Sequence, residues 1–491
     1  MNPTAEQSAC IDAMATHNVL KISAVAGGGK TSSLRLLAES NTDKSLYLAF
    51  NKVTAEEAAE KFPKHVECRT THSLAYAAVG AKMSKKLSRP PGKYVNVAGT
   101  GSEIARHFKI GSYEIDSITI PSNFLGLMVK ETLARFEQSA DEEVEAKHVY
   151  SSELNSKLCN HQPSKKKIEK EVLKFAKKLW KQRIDISSNV LATHDTYLKL
   201  YQLSKPKFSD VSIVYVDESQ DSTPCVMDII NNQAETTKLV LVGDARQAIY
   251  GWRGAVNAMA MVECEERKLT KSFRYGQAIA DVATIVLERD MIITGNEAIK
   301  SVVGLSDVVD RTKPYTRLFR TNSALVAAAL EAKVLGIDIS IEIDVKDFVK
   351  LLQSAQALYS GDKRGVKHDK VLSCNSWDDA IFEGKHDAEL GRIVKAVNEG
   401  KAQRWIEILE GHVNSDEPHI TFTTAHRSKG REFEQVIVES DFKSCYNEGE
   451  WVGLTTEEQN LLYVALTRAI LRLEYNMTVQ EYITREMSEV A

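Results

Sequence analysis

Three consecutive glycines at positions 27–29 constrain the fold of this 491-residue chain more than any other feature, because a lysine and a threonine follow them directly. The preceding segment, 18–23, has the β-branched and apolar residues of a buried parallel strand. The following segment, 31–40, spaces its leucines as a helix that packs onto a sheet would. The sequence therefore predicts a strand, a glycine loop and a helix in succession.

This loop matches the phosphate-binding pattern G-x-x-x-x-G-K-[ST], except that alanine stands where the first glycine usually does. Glycines let backbone N–H groups approach an anion at a helix N-terminus. Lys30 would reach the β- and γ-phosphates, and the Thr31 hydroxyl would be offered to Mg²⁺. The alternative is a glycine turn with an incidental lysine, but the flanking strand and helix favour phosphate binding. The predicted nucleotide-binding residues here are Ala24, Val25, Ala26, Gly27, Gly28, Gly29, Lys30 and Thr31.

A phosphate loop predicts a second site, an acidic residue at the end of another buried strand that would hold the magnesium ion. Segment 211–221 fits, because an apolar run ends in Asp217 and Glu218. Ligands of open α/β sheets bind at the carboxyl edge of the strands. Asp217 would bind Mg²⁺ directly or through water, and Glu218 would orient and deprotonate the attacking water. An acidic turn after a strand is common by itself, and pairing with Lys30 is what favours the catalytic interpretation.

Segment 238–255 repeats this form, with a buried strand followed by polar residues. Gln247 would contact a γ-phosphate. Tyr250, Trp252 and Arg253 add two aromatic rings and a cation, and aromatic faces stack on unpaired bases at about 1–3 kcal/mol per base. For Trp252, core packing is an equally good interpretation.

The overall composition is ordinary, with 43% hydrophobic and 26% charged residues. No run approaches the roughly 18 apolar residues of a membrane helix, and the N-terminus lacks the regions of a secretion signal. The seven cysteines include no C-x-x-C pair, so buried free thiols in a reducing cytoplasm are expected. Because the formal net charge is −4, a nucleic-acid surface must be a local groove.

Taken together, these motifs resemble the superfamily 1 DNA helicases of the UvrD/Rep/PcrA type, and further stretches match in family order. The resemblance makes Gln7 the adenine-reading glutamine, places Phe273 and Ser32 beside the adenine, and gives Glu432 to the ribose. It implies that ATP binds between two motor domains, and that Arg274 and Arg468 of the second domain complete the site around the γ-phosphate. The stretches that carry it are "TAEQ", "LAFNK", "TTHSLAY", "LTKSFRYG", "LFRTN", "TTAHRSKGREF" and "EEQNLLYVALTRA". The residues it assigns to single-stranded DNA are Phe50, Asn51, Thr70, His72, Tyr250, Trp252, Arg253 and His426.

A closer resemblance, to the helicase core of the F-box DNA helicase family, is carried by "AFNKVTAEEAAEKFP", "VECRTTHSLAYAAVG" and "HDTYLKLYQLSKP". Because Gln7 already lies near the start, no F-box and no ubiquitin-ligase partner are expected, and a bacterial or phage-infected cytoplasm is the expected location. Three positions depart from the UvrD type. Ser32 replaces an arginine beside adenine, Phe273 replaces a tyrosine, and Arg431 replaces a leucine before Glu432.

The resemblance implies an α/β fold of two RecA-like P-loop NTPase motor domains, each with an inserted, mainly helical subdomain. The expected ranges are 1–84 with 190–258 for the first motor, 85–189 for its helical insertion, 259–335 with 416–491 for the second motor, and 336–415 for a small insertion. Segment 164–184 in the first insertion is crowded with lysines. A solvated face of an amphipathic helix and a contact with duplex or strand backbone both stay open for it.

The leading hypothesis is an ATP- and Mg²⁺-dependent helicase that moves 3′ to 5′ on single-stranded DNA. Its expected partners are single strands, single/double-strand junctions and proteins of replication or recombination, with no membrane. A translocase that strips proteins from single strands is the second hypothesis. A nucleotide-gated DNA-binding module with little turnover is the third, and Glu218 with the two arginines speaks against it.

Overall fold

The computed structural model describes residues 3–90, 96–116, 118–151, 154, 155, 158, 160–251, 259, 262–385 and 387–490. Their strands are, in chain order, β1 (Val19–Ala24), β2 (Ser45–Ala49), β3 (Val66–Thr70), β4 (Tyr113–Ile115), β5 (Ile118–Ile120), β6 (Ile213–Val216), β7 (Lys238–Gly243), β8 (Glu265–Leu269), β9 (Val302–Gly304), β10 (Tyr315–Phe319), β11 (Ile339–Ile341), β12 (Ile420–Thr424), β13 (Phe433–Val438), β14 (Tyr446–Asn447), β15 (Glu450–Trp451) and β16 (Ala469–Glu474).

Helices surround these strands, and short 3₁₀ turns at Gly80–Lys86, Ala146–His148, Ser219–Asp221 and Ala245–Gln247 supplement them. The α-helices are α1 (Ala5–Thr16), α2 (Lys30–Glu39), α3 (Lys52–Lys61), α4 (Thr71–Ala78), α5 (Gly101–Phe108), α6 (Ser122–Gln138), α7 (Gln162–Ile184), α8 (His194–Leu203), α9 (Pro224–Asn231), α10 (Gln277–Val286), α11 (Asn322–Val334), α12 (Val345–Tyr359), α13 (Asp369–Leu372), α14 (Trp377–Glu383), α15 (Ala388–Asn398), α16 (Ala402–Glu410), α17 (Ala425–Ser428), α18 (Thr456–Leu466) and α19 (Met477–Val490).

Two six-stranded sheets organise the chain. Their strand orders are β3-β2-β6-β7-β1-β8 and β11-β12-β10-β13-β16-β9. Every recorded pairing inside the two sheets is parallel, and antiparallel pairing is confined to the hairpins β4-β5 and β14-β15 among the described residues. The expected α/β fold of two RecA-like domains is therefore confirmed.

The chain divides into two compact units. The first comprises residues 1–22, 31–243 and 250–267, and the second comprises 23–30, 244–249 and 268–491. This division does not separate the expected insertions from the motors, so their boundaries stay predictions. In the described part of the chain, no helix combines the length and apolarity that a bilayer span needs, and each described cysteine is a free thiol.

Parallel sheets covered by helices need strands that are apolar on both faces. β6 is buried at all four positions, and α2 buries its leucines at 34, 36 and 37 as the sequence predicts. The core of the first sheet joins β2, β6 and β7 with α9 through residues such as Leu48, Val214 and Leu241.

The second sheet extends into the range 336–415 expected for an insertion. β11 lies in that range and pairs in parallel with β12, and all three of its residues are buried. One apolar cluster then runs from Phe319 and Phe422 on the sheet to Leu352 and Ile393 on the helices that follow β11. The helices of this insertion are consequently continuous with the sheet core.

Candidate functional site

The glycine loop lies between β1 and α2, as the sequence predicts. Gly27 and Gly29 have φ of +73° and +77°, a left-handed backbone conformation that residues other than glycine rarely adopt. A Cβ added at Gly27 would also lie 2.6 Å from Ser272 Oγ. The Gly28 amide donates to the Val25 carbonyl at 2.9 Å. The loop thus keeps a tight turn directly before the N-terminus of α2, where an anion is favoured.

Thr31 and Asp217 meet at the carboxyl edge of the first sheet. The Thr31 hydroxyl donates to Asp217 Oδ2 at 3.0 Å, and the Tyr47 hydroxyl donates to the same oxygen at 2.6 Å. Among the described residues, no group of three His, Cys, Asp or Glu side chains is arranged to hold a metal ion. One hydroxyl and one carboxylate nevertheless fit Mg²⁺, which is commonly bound by one or two carboxylates together with waters and nucleotide phosphates.

Tyr47 is a site residue that the sequence reasoning missed. It is fully buried in β2, and burial followed by the negative charge of Asp217 raises the pKa of its hydroxyl far above the ordinary value. The phenol therefore stays protonated and keeps donating to Asp217. The segment "SLYLAF" offered one signal, a tyrosine hydroxyl between two leucines of a buried strand.

Glu218 follows in a left-handed conformation with φ of +51°, which is uncommon outside glycine. Gln220 Nε2 donates to Glu218 Oε2 at 2.5 Å, and the Glu218 amide donates to Asp217 Oδ1 at 2.9 Å. Such conformations cost energy and concentrate at functional sites. The turn after β6 therefore fixes the direction of the carboxylate expected to activate water.

The predicted adenine-reading residue, Gln7, is buried and uses both ends of its amide inside the protein. Its Oε1 accepts from the Thr4 amide at 3.0 Å, which completes the capping box of α1. Its Nε2 donates to Ser33 Oγ at 3.1 Å, next to the half-buried Ser32. In this arrangement Gln7 ties the first helix to α2, and its role toward adenine stays a prediction.

A buried polar cluster inside the second unit holds the glycine loop. Asp244 Oδ2 accepts from Gln247 Nε2 at 2.7 Å and from the Tyr463 hydroxyl at 3.1 Å. Tyr463 in turn accepts from the amide of Ala26 at 2.9 Å. Burial raises the pKa of Asp244, while the charge of Lys30 opposes that shift.

Asp244 and Tyr463 were not predicted as site residues. Asp244 directly follows the buried strand β7, in the same way that Asp217 follows β6, so its position was a usable signal. Tyr463 lies on α18, one turn before Arg468, and no local pattern sets it apart.

The two predicted arginines differ in their surroundings. Arg274 Nε donates to Glu432 Oε2 at 2.8 Å, and a Cβ at Gly27 would lie 2.7 Å from the Cβ of Arg274. Arg468 is fully buried and donates to the carbonyls of Val464 and Arg431, each at 2.9 Å. Glu432, expected to hold the ribose, thus forms an ion pair with Arg274.

Phe273, expected beside adenine, leaves 44% of its surface exposed. Its amide donates to the Gly27 carbonyl at 2.8 Å. The ring is therefore accessible next to the glycine loop, as stacking on a base requires.

The residues expected to contact DNA occupy several kinds of position. Phe50 is 46% exposed and its ring lies parallel to that of Tyr250, with centroids 6.1 Å apart and 4° between the planes. Asn51 and Thr70 cap α3 and α4 with their side-chain oxygens. His426 is half-buried on α17. Trp252 and Arg253 lie outside the described residues.

His72 donates from Nε2 to Asp195 Oδ1 at 3.3 Å and lies edge-on to the ring of Tyr197. Desolvation raises the pKa of Asp195, but the hydrogen bond and charge of His72 outweigh it, so the net direction is below the ordinary value. The imidazole is thereby held in one orientation.

A cavity of about 100 Å³ in the first unit is lined both by residues expected to act on ATP and by residues expected to contact DNA. Its wall includes Asp217 and Glu218 together with Phe50, Thr70 and His72. This follows from the topology, because β2, β3 and β6 are parallel neighbours and their carboxyl ends share one edge.

A glycine loop at a strand–helix junction, a lysine and threonine at the start of the helix, and an acidic residue ending a parallel strand define the class of P-loop NTPases. The paired RecA-like sheets restrict the chain to members of this class with two motor domains.

Comparison with known proteins supplies the family. The model of the UvrD/REP helicase N-terminal domain matches residues 3–266, more than half of the chain, and that of the UvrD-like helicase C-terminal domain matches residues 387–479. The chain therefore belongs to the UvrD-like helicase family, as its motifs indicate.

Individual relatives agree with this assignment. F-box DNA helicase protein 1 of Schizosaccharomyces pombe is 31% identical over 95% of this chain and 56% of that protein. F-box DNA helicase 1 of Gallus gallus is 32% identical over 92% of this chain and 46% of that protein. The Gabija protein GajB of Bacillus cereus is 25% identical over 58% of this chain. The chain thus spans about half the length of the F-box helicases it matches, and the resemblance to their helicase core is confirmed.

Proposed function

We propose that the chain hydrolyses ATP to move 3′ to 5′ along single-stranded DNA and unwinds duplex ahead of it, in replication, repair or recombination. The observation that carries this proposal is the shared cavity, whose wall contains both the carboxylates expected to act on ATP and the strand-end residues expected to contact DNA. Such proximity would let the state of the nucleotide affect the contacts to DNA, which coupling of hydrolysis to movement requires. The direction rests on the family resemblance.

The residues of the chain suit distinct tasks in hydrolysis. Backbone amides of the glycine loop and Lys30 would hold the phosphates. Thr31 and Asp217 would hold Mg²⁺, which supplies neutralisation of phosphate charge when bound. Glu218, fixed by its left-handed backbone and by Gln220, would accept a proton from the attacking water.

Contact with the strand would depend on stacking. Phe50 and Tyr250 present parallel rings at the edge of the first sheet, and Phe50 is exposed. Every base has a π-face, so such rings bind single strands with little regard to sequence. This supports a motor that travels along varied sequences.

A second function, displacement of bound proteins with little unwinding, is favoured by one feature. The 336–415 insertion shares its apolar core with the second sheet and contributes β11 and helices of 4 to 15 residues. Its described residues therefore form no separately cored lobe to hold a duplex.

Three measurements on one preparation test the proposal. ATPase rates would be compared with single-stranded DNA, duplex and RNA, strand displacement would be measured on duplexes with 3′ or 5′ tails, and removal of a bound protein would be measured on a bare strand. We expect DNA-stimulated hydrolysis and displacement only from 3′ tails. Displacement from 5′ tails alone would reverse the direction, and protein removal without unwinding would establish the second function.

Glu218→Gln should lower DNA-stimulated ATP hydrolysis by about 10²–10⁴-fold, because it removes the general base, while binding of single-stranded DNA persists. Glu235→Gln, at an exposed carboxylate paired only with Lys207 among the described ion pairs, is the matched control and should keep full activity. Equal ATPase rates in wild type and Glu218→Gln would contradict the assignment.

A further inference from the structure

We propose that α7 binds the phosphate backbone of duplex DNA through a stripe of five lysines, called here the lysine stripe. The inference uses the DNA substrate of the family and does not depend on unwinding or on the direction of movement. The stripe consists of Lys166, Lys170, Lys174, Lys177 and Lys181, all of which are exposed.

The geometry of α7 places this stripe opposite its apolar face. With 100° of rotation per residue, the five lysines fall within an arc of about 80°, and with 1.5 Å of rise they extend over about 22 Å. The buried residues of the helix, including Ile168, Val172 and Leu179, lie on the other side and pack in the core of the first insertion. The positive side chains thus form one straight row on a firmly packed helix.

Within the described part of the chain, the positive charge of the stripe has no acidic partner. Among the described residues, none of the five ammonium groups lies within 4.0 Å of a carboxylate, whereas the neighbouring Lys165 pairs with Glu169. Glu171, another acid of this helix, accepts a hydrogen bond from the Tyr113 hydroxyl. Like charges three or four residues apart destabilise a helix, and cations near its N-terminus oppose the helix dipole. A face that only needed solvation would alternate its charges, so this stripe suits an external polyanion.

The aromatic residues of α7 distinguish duplex from single strand. Phe175 packs against Phe108 and Trp180 packs against Phe136, both within the insertion core. No large apolar side chain of α7 is among the exposed ones in the described part of the chain. Proteins that hold single strands combine cations with aromatic stacking platforms. A row of cations without such platforms fits duplex DNA, whose bases are already stacked and whose backbone carries one charge per about 1.7 Å.

The test is the salt dependence of binding to a blunt, labelled 20-base-pair duplex without nucleotide. Lys170→Gln, Lys174→Gln and Lys177→Gln would be combined, because glutamine keeps nearly the helix propensity of lysine. Each lost phosphate contact should reduce the slope of log K against log salt by about 0.9. The slope measured for the triple variant should therefore be smaller in magnitude by about 2.7 than that of the wild type. The ratio of wild-type to variant affinity should then fall about 40-fold between 50 and 200 mM salt.

Two controls separate this effect from general charge loss. Lys346→Gln, Lys350→Gln and Lys363→Gln remove the same charge from exposed positions of the second insertion and should leave the slope unchanged. The corresponding triple change of the stripe to arginine should keep it. ATPase stimulated by short single-stranded DNA should be equal in all variants, and it also reports failure of the proposed motor function independently.

Several outcomes would overturn the inference. An unchanged duplex slope in the glutamine triple variant would show that duplex does not touch the stripe. An equal loss in the control triple would show a general charge effect. A loss of slope on single-stranded oligothymidine, with duplex binding intact, would assign the stripe to the translocating strand.

Discussion

The two predicted insertions of this chain are attached in opposite ways. In the first, the apolar cluster is made entirely of residues from 98 to 190 and includes none from the sheet. In the second, one cluster joins β10, β11 and β12 to the helices of 336–415. The first insertion thus has a core of its own, and the second is an outgrowth of the core of its sheet.

This difference affects how firmly each insertion is joined to its motor domain. The first connects partly through a buried polar contact, because Thr196 on α8, which lies outside the insertion, donates to Glu137 on α6 at 2.6 Å. Within the insertion, Arg183 on α7 donates to both oxygens of the same carboxylate, at 3.1 and 2.9 Å. Cooperative units of a protein open separately when few apolar contacts join them. We therefore expect the first insertion, with its lysine stripe, to unfold apart from its sheet, and the second to unfold with its sheet.

The largest expected effect comes from removing the cation that pairs with Glu137 inside the first insertion. Arg183→Met should destabilise the first insertion by about 3–5 kcal/mol, because it leaves the buried Glu137 carboxylate without its cation. Hydrogen-exchange protection should fall across 98–190 and persist in β2, β6 and β7.

The double variant Glu137→Gln with Arg183→Met removes the charge as well and should regain most of the protection. If Arg183→Met alone lowered protection of the first sheet equally, the two regions would form one cooperative unit and the comparison would fail.

The sequence predicted the sheets better than the attachment of the insertions. Strands β1, β6 and β7 coincide with apolar segments that were predicted as strands, because burial on both faces leaves a continuous apolar run. Whether a helix shares its core with a sheet depends on packing between residues far apart in the chain, such as Leu352 and Phe422, which belong to one apolar cluster. The three residues of β11 are too few for a periodic pattern to place them in the sheet.

Prediction of the candidate site was limited in the same way, by contacts between residues far apart in the chain. Lys30, Thr31, Asp217 and Glu218 were predicted because each stands at a fixed offset from a strand end. Tyr47, which donates to Asp217, approaches from another strand and has no such offset. The pattern T-A-E-Q is also the sequence signature of a capping box, but the same glutamine was assigned to a nucleotide contact.

Two matched leucine-to-alanine substitutions, one in each insertion, test the comparison further. Leu133 in the first insertion and Leu352 in the second are both fully buried. Replacement of either by alanine should cost about 2–5 kcal/mol, the usual cost of an unfilled leucine site. Leu133→Ala should reduce exchange protection within 98–190 alone, whereas Leu352→Ala should reduce it in β11 and β12 as well. Protection lost from the first sheet in Leu133→Ala would remove the distinction.

The smallest expected effect is a pH dependence confined to the second insertion. His368 is buried, and its Nδ1 accepts from the Lys370 amide at 3.2 Å. Burial lowers its pKa below the ordinary 6.5, and the nearby charges of Asp347 and Asp369 oppose this shift while Lys350 adds to it. Since the unfolded chain then binds the proton more readily, stability is fully present above about pH 6.5 and falls as the pH drops toward the folded pKa.

His368→Asn keeps a side-chain acceptor for the cap of α13 and removes the titration. Urea denaturation at pH 7.5 and 6.0 should show a smaller loss in this variant than in wild type, while His17→Asn, at an exposed site of the first unit, should match wild type. Because the second insertion shares its core with the sheet, the pH-dependent loss should also appear in the protection of β12. A loss restricted to 345–410, with β12 unaffected, would show that the shared core does not transmit it.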